Sequence, residues 1–375
     1  MLHVAAYSLA TLPHRAQLQE LSILTPLSER LAVNNRHVII PEPGKVVIED
    51  TPMPKPGPGE ALVKMIYGGI CGSDLGTYRG TFAYASYPRI PGHELSFEVV
   101  EAPENAFGVK KGMFATANPY FNCGKCYPCR SNRPNCCVVN ETMGAQRDGG
   151  FAYYLALPVE RIYDSRGLGR RETALIEPFC ISYHGVKRAD IKPGEKVLVV
   201  GAGTIGIMAM LSAIHFGGEV YVADVAPGKL ERAKQLGAAG VFVNSSPEAF
   251  GKWIAETTGG DGFAVTVEAV GLPATFQNCI DAVASAGRVV VIGISKSNLK
   301  EFNFTVIQKK ELAVFGSRNA VKQDFAEVTE MILKTGLKAD DVVTNVYDFA
   351  DAAAAFDDFD KRGGDMLKVL IRFPE

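Results

Sequence analysis

The sequence predicts an α/β fold in two parts, a β-rich first half and a doubly wound parallel sheet in the second. Three observations predict it. Short apolar stretches between Gly/Pro turns crowd the chain up to about residue 180. From about residue 181, apolar strand-like runs alternate with helical segments, the pattern of a parallel sheet covered on both faces. One of those runs leads into a glycine-rich turn, Gly201-Ala202-Gly203-Thr204-Ile205-Gly206, and an apolar helix start follows it. The length of 375 residues suits two domains.

The turn carries the clearest chemistry. Val197-Leu198-Val199-Val200 is apolar and mostly β-branched, as a buried parallel strand requires. Gly201 permits the tight turn, Gly203 lets a pyrophosphate approach the backbone, and Gly206 lets the helix pack on the sheet. Thr204 and Ile205 open that helix, whose N-terminus offers free N–H groups and a positive dipole end to phosphates. A second strand over 219–223 ends at Asp224, at the spacing of a carboxylate that binds ribose hydroxyls. These residues predict a dinucleotide site.

Composition sets the outer bounds. Hydrophobic residues make up 47% and charged residues 21%, as in an ordinary soluble protein. The net charge of −2 implies no nucleic acid or other polyanionic partner. No apolar run is long enough for a membrane span. Residues 1–36 form an unassigned extension: Leu18, Leu21, Leu24, Leu27 and Leu31 recur at helical spacing, but Pro26 interrupts them. Glu20 and Glu29 argue against a transit peptide. From His37 the pattern turns orderly, with strands over 38–40, 45–49, 61–67 and 95–100, and a proline-rich connection over 51–59. In the second half, strands fall over 197–200, 220–224, 263–268, 288–294 and 312–315. Helices run to about 216, over 229–236 and from 273, with tail helices near 325–334 and 348–359. A last strand over 366–371 could return to the β-rich part, and 289–292 reads as an edge available for pairing between subunits.

Cys123, Cys126, Cys129 and Cys137 stand as C-x2-C-x2-C-x7-C. Four thiolates on one short loop suit a closed, structural zinc site. Eight cysteines without a secretion signal favour a reduced, cytoplasmic compartment over disulfides. Cys136 reads as a small apolar residue, Cys180 and Cys279 as packing, and His184 and His215 as structural. Cys71, His93 and Glu177 are further metal candidates, though each alone reads as readily as a packed or hydrogen-bonded residue.

Taken together, from about residue 37 to 375, these residues resemble the zinc-dependent medium-chain dehydrogenases, the alcohol and polyol dehydrogenase superfamily. The motifs come in the family order: Cys71-Gly72-Ser73-Asp74, Gly92-His93-Glu94, the four-cysteine lobe, Ala174-Leu175-Ile176-Glu177-Pro178, the 201–206 turn and Asp224. The resemblance implies a GroES-like catalytic domain over 37–180 and 321–375, and a Rossmann NAD-binding domain over 181–320. It implies that Cys71, His93 and Glu177 hold a catalytic zinc, giving two zinc ions per chain, with Glu94 a neighbouring acid able to exchange with a ligand. Glu177 in place of a cysteine looks like the polyol branch.

The resemblance also assigns the remaining roles. Asp224 is followed by Val225 and Ala226, with no Arg for a 2′-phosphate, so NAD is favoured over NADP. Lys229 stands at a ribose-contacting position, or is a solvated helix charge. Val270, Ile292 and Ile294 resemble nicotinamide-pocket positions, or are sheet core. Ser73 looks like the first relay hydroxyl, while Gly76 replaces the histidine that most relatives carry. The proton is then expected to leave through Ser73, a ribose hydroxyl and water. Arg318 resembles a substrate-facing Arg of polyol dehydrogenases, and Arg can grip a carboxylate in bidentate fashion. Its other reading is a structural ion pair. The expected activity is oxidation of a secondary alcohol, on a polyol or sugar acid such as an aldonate, with NAD. Competing readings are another alcohol or a threonine-type amino-alcohol dehydrogenase, a zinc-free reductase on the same fold, and a non-catalytic NADH sensor. Relatives imply a homodimer or homotetramer.

Overall fold

The computed structural model describes residues 35–374. The helical spacing of Leu18 to Leu31 in the extension lies outside the described residues. Residues 35 and 36, assigned above to the extension, belong to the first strand, Asn35–Glu42, which pairs antiparallel with Lys45–Thr51.

Two larger sheets organise the chain. One has six parallel strands in the order Gly240–Val243, Glu219–Asp224, Lys196–Val200, Phe263–Glu268, Val283–Val291, Ala313–Gly316. The order reverses beside Lys196–Val200, which puts a crevice at the carboxyl end of the strand that feeds the glycine turn. Val197 and Val199 join a core shared with helices Ile176–Lys187, Thr204–His215 and Lys322–Thr335. Leu198 and Val200 point the other way, into a core with Pro247–Thr258 and Pro273–Ala282. A strand buried on both faces must be continuously apolar, and this one is.

The other sheet is largely antiparallel: Val343–Asp348, Lys368–Arg372, Glu60–Ile70, Glu94–Glu101, Phe114–Ala117 and Ile162–Asp164. Tyr154–Pro158 also pairs with Glu60–Ile70. The terminal strand Lys368–Arg372 returns across the whole chain to lie antiparallel to Glu60–Ile70. That register sets Gly69 opposite both Leu370 and Glu94. No helix among the described residues is long and apolar enough to cross a membrane.

Two expectations are corrected here. The 289–292 segment is no edge, because Val283–Val291 is hydrogen-bonded between Phe263–Glu268 and Ala313–Gly316 and its backbone groups are used on both sides. The edges are Gly240–Val243 and Ala313–Gly316. The tail helix expected near 348–359 starts later and runs further: Asp348 ends the strand Val343–Asp348, and after a short 3-10 turn the helix covers Ala352–Arg362.

Candidate active site and metal centres

The glycine turn is built by contacts that only glycine allows. Gly201 has φ +107°, and a Cβ there would lie 2.5 Å from Val270 Cγ2. A Cβ on Gly206 would lie 1.8 Å from the Gly201 carbonyl oxygen, so this glycine sets how closely helix Thr204–His215 meets the strand. At Gly203, by contrast, a Cβ would meet nothing. That open face sits at the cap of a helix whose first-turn amides have no intrahelical acceptors, a cradle that fits a phosphate group. Asp224 closes the site: its Oδ2 accepts from Ala202 N (2.6 Å) and its Oδ1 from Ala226 N (2.8 Å). Each oxygen keeps a second lone pair for a ribose hydroxyl. Thr204 and Ile205 supply backbone here, while the Thr204 hydroxyl turns away to donate to Leu367 O (2.8 Å).

A second cluster forms where three distant segments meet. Cys71 caps the short helix Gly72–Tyr78, His93 precedes strand Glu94–Glu101, and Glu94 begins it. One donor atom from each of Cys71, His93 and Glu94 lies within 4.8 Å of the others. Glu177, in the first turn of Ile176–Lys187, is 2% exposed and close enough to act electrostatically on His93. Its Oε1 accepts a hydrogen bond from the Tyr120 hydroxyl. Glu94, and not Glu177, therefore completes the tight three-residue group among the described residues. Thiol, imidazole and carboxylate together form a donor set suited to zinc. His93 Nδ1 is buried without a hydrogen-bond partner, an orphan that a cation would satisfy.

Three side chains to which the sequence assigned no role, and one glycine, shape this cluster. Lys368 is fully enclosed, and its Nζ donates to both Glu94 oxygens (2.6 and 2.7 Å) and to Ile70 O (3.2 Å). A Cβ on Gly69 would lie 1.9 Å from Glu94 Oε2, so this glycine makes room for the pair. Asp74, with no exposure, accepts from Cys71 N (2.9 Å) and Gly92 N (3.2 Å) and sits 3.9 Å from His93 Nδ1. It holds both the Cys71 and His93 segments in place. Tyr120 is the third.

The electrostatics follow from this enclosure. Burial pushes the Glu177 carboxyl up to about 7, opposed by His93. Burial pulls the His93 imidazole down, but Cys71 and Asp74 outweigh it and hold His93 well above 6.5. Burial likewise raises Asp74. The site thus packs three acids and a thiol around one imidazole and one ammonium, an excess of negative donors that favours a cation.

The four-cysteine lobe is separate. The sulfurs of Cys123, Cys126, Cys129 and Cys137 lie within 4.8 Å of one another, and Cys136 is not among them. All eight cysteines are free thiols. Backbone amides donate to sulfur, from Cys123 N to Cys137 Sγ (3.3 Å) and from Cys126 N to Cys123 Sγ (3.4 Å). Amides of Val138 and Cys129 hold the Cys126 thiol down to about 6, readying it as a thiolate. The donor set fits a closed zinc site. Cys129→Ser is expected to lower bound zinc by about one ion per chain, measured by atomic emission on purified protein. Unchanged zinc content would remove the lobe as a metal site.

Residues 57–166 match the alcohol dehydrogenase GroES-like domain, and residues 204–334 match the zinc-binding dehydrogenase family. L-galactonate-5-dehydrogenase of Escherichia coli K12 is 36% identical over 337 residues, 90% of this chain and 98% of that protein. The chain belongs to the zinc-type medium-chain dehydrogenases. It is an oxidoreductase acting on CH–OH donors. The E. coli CFT073 rspB alcohol dehydrogenase, solved with NADH, superposes with a TM-score of 0.84 at 29% identity, covering 91% of this chain and 99% of that one. A Sinorhizobium meliloti zinc-binding dehydrogenase bound to NADP superposes with a TM-score of 0.82 at 26% identity, covering 90% and 99%.

The other sequence-derived positions of this dehydrogenase are distributed as follows. Ser73 lies on helix Gly72–Tyr78 beside Cys71, and its carbonyl accepts from the Thr77 hydroxyl (3.0 Å). Lys229 is half-buried on Pro227–Gln235. Val270 and Ile294 are 44% and 77% exposed, so they are not sheet core. Ile292 is buried, one residue past strand Val283–Val291, not inside it. Arg318 is exposed and makes no ion pair among the described residues. Its carbonyl accepts from Asn135 Nδ2 (2.9 Å) and Asn319 Nδ2 donates to Asn135 O (3.3 Å), which ties this loop to the cysteine lobe and not to Cys71 or His93. His184 is structural, paired with Asp324 through Nδ1 (2.8 Å). A Cβ at Gly76 would lie 3.1 Å from Phe82 Cβ. Phe82 packs close against this position, so Gly76→His tests packing as well as proton transfer.

Proposed function

We propose that the dehydrogenase uses NAD and two zinc ions per chain to oxidise a secondary hydroxyl on a polyol or sugar acid, an aldonate foremost. The observation that carries this reading is a pair of consecutive residues. Leu367 accepts from Thr204 at the start of the dinucleotide helix, and Lys368 binds Glu94 in the donor cluster. One strand entry thus links the two half-sites that a hydride transfer must join.

Cys71, His93 and one of Glu94 and Glu177 are the residues to hold a zinc ion, with Asp74 fixing the first two. Zinc supplies Lewis acidity toward an alcohol oxygen, and the nicotinamide accepts hydride. The chain's part is to orient. Gly203 and the Thr204–His215 N-terminus take the pyrophosphate, Asp224 the adenosine ribose, and Val270, Ile292 and Ile294 the nicotinamide, with Lys229 at the ribose. The acidic Asp224 and the absence of an adjacent Arg favour NAD over NADP. Ser73 takes up the proton of the hydroxyl and passes it toward a ribose hydroxyl and water. Arg318, free of structural carboxylates, is available to a substrate carboxylate. The identity to an L-galactonate-5-dehydrogenase supports a sugar-acid substrate. A chain of free thiols supports a reduced, cytoplasmic setting.

A screen of NAD and NADP reduction against hexonates and hexitols tests the whole reading. Arg318→Ala is expected to cost aldonates roughly tenfold in kcat/KM, the order of one charge-assisted bidentate contact, and hexitols little. Equal losses on both substrate classes would discard the carboxylate role.

A further inference from the structure

One buried carboxylate takes no part in the chemistry above. Glu268 ends strand Phe263–Glu268, is 1% exposed, and pairs with no cation among the described residues. Its Oε1 instead accepts three hydrogen bonds, from Val270 N (2.9 Å), Gly271 N (2.8 Å) and the Thr275 hydroxyl (2.7 Å). Its main-chain oxygen accepts two more, from Ile292 N (2.9 Å) and Gly293 N (3.2 Å). Oε2 lies against Gly293, where a Cβ would come within 2.4 Å.

The same point joins two loops from neighbouring strands. A Cβ on Gly293 would lie 2.2 Å from Gly271 N, and one on Gly271 would lie 2.5 Å from Ile294 O. Loops 269–272 and 292–294 therefore touch backbone to backbone, with Glu268 beneath both. The glycine turn abuts them through Gly201 and Val270. From this fastened backbone three large apolar side chains stand into the open: Val270 (44% exposed), Leu272 (52%) and Ile294 (77%). A rigid apolar shelf beside a phosphate-binding turn suits a flat ring carried on the same ligand. Burying a carboxylate is costly unless donors offset it, and here those donors are the amides of the shelf itself.

We propose that Glu268 is a positioning residue that fixes the Val270–Leu272–Ile294 shelf for the nicotinamide half of the dinucleotide. This rests on the reading of the 201–206 turn as a dinucleotide site. Glu268 reaches no reacting atom; it holds the loops in their bound shape before the ligand arrives, so less ordering is lost on binding.

NADH and ADP-ribose separate the two halves of the site, because ADP-ribose keeps the adenosine and both phosphates but lacks nicotinamide. Binding of each is titrated to wild type, Glu268→Ala, Glu268→Gln and Thr275→Val, by NADH fluorescence and calorimetry. Loss of the acceptor leaves the buried Gly271 amide and the part-buried Val270 amide unpaired, so Glu268→Ala is expected to bind NADH about tenfold more weakly or worse. ADP-ribose should stay within about twofold, since its contacts are elsewhere. Glu268→Gln retains an acceptor oxygen and should restore most of the NADH affinity, whereas Thr275→Val should fall between. Equal loss of both ligands in Glu268→Ala, or loss of neither, overturns the proposal. If Glu268→Ala does not fold, Thr275→Val decides: unchanged NADH binding overturns the proposal, and selective loss of NADH upholds it. A wild type that binds neither ligand overturns the dinucleotide reading itself, and the proposal with it.

Discussion

His93→Ala is expected to abolish alcohol oxidation while leaving NADH bound. His93 is enclosed, its Nδ1 has no hydrogen-bond partner, and its imidazole lies within reach of Cys71 and Glu94. Altering a residue that only supports a metal ligand costs about 10–100-fold, so removing a ligand should cost more than about 100-fold in kcat. Bound zinc should fall by about one ion per chain, and NADH affinity should hold within about threefold, because the glycine turn lies on another sheet. Activity within tenfold of wild type would exclude the Cys71–His93 cluster as the reacting centre. Asp74→Asn is a milder companion: it keeps the shape and weakens the acceptance of the Cys71 and Gly92 amides, so its loss should lie in the supporting range.

Lys368→Met is expected to be the most destabilising single change near the site. Lys368 is 3% exposed and Glu94 1%. Neither can turn to water when its partner is removed, and an uncompensated buried carboxylate costs about 3–5 kcal/mol. Urea unfolding of metal-free protein would show this as a lowered midpoint at an unchanged slope. The double variant Glu94→Gln with Lys368→Met should recover much of the loss, because no charge is then stranded. A single variant as stable as wild type would overturn this expectation, since no buried charge would then have been stranded.

Much of the architecture was legible because its rules are local. A strand of Val and Leu, a turn whose glycines are needed for φ and clearance, and an acid at the end of the next strand all act within a few dozen residues. The cysteine lobe was legible for the same reason, since four thiols on a short loop can converge with little help from the fold. Cys71 and His93 were not legible singly. Each lies in an ordinary glycine turn, and only the family order of motifs marked them.

The misreadings share a cause. The 289–292 run looked like an edge because pairing on a strand's far side leaves no mark in its own composition. The strand expected over 288–294 runs too far because hydropathy does not mark where hydrogen bonding ends: it stops at Val291, Ile292 stays in the core and Ile294 stands exposed. Nothing in the sequence marks Lys368 as buried, because a lysine in a tail strand usually faces solvent. Its partner, Glu94, is 274 residues away.

The sequence by itself determined the two-part α/β organisation, the glycine turn ahead of its helix with Asp224 at the next strand's end, and the four-thiol lobe. Backbone conformation, hydrophobic burial and short ligand spacings are properties of contiguous chain. The tertiary structure alone decided that Glu94 joins Cys71 and His93, that Lys368 neutralises it, and that Glu268 fastens two loops at once. Lys368 meets Glu94 through the register of strands 274 residues apart, the other contacts depend on how neighbouring loops close, and charge enclosed by packing is invisible until the packing is known.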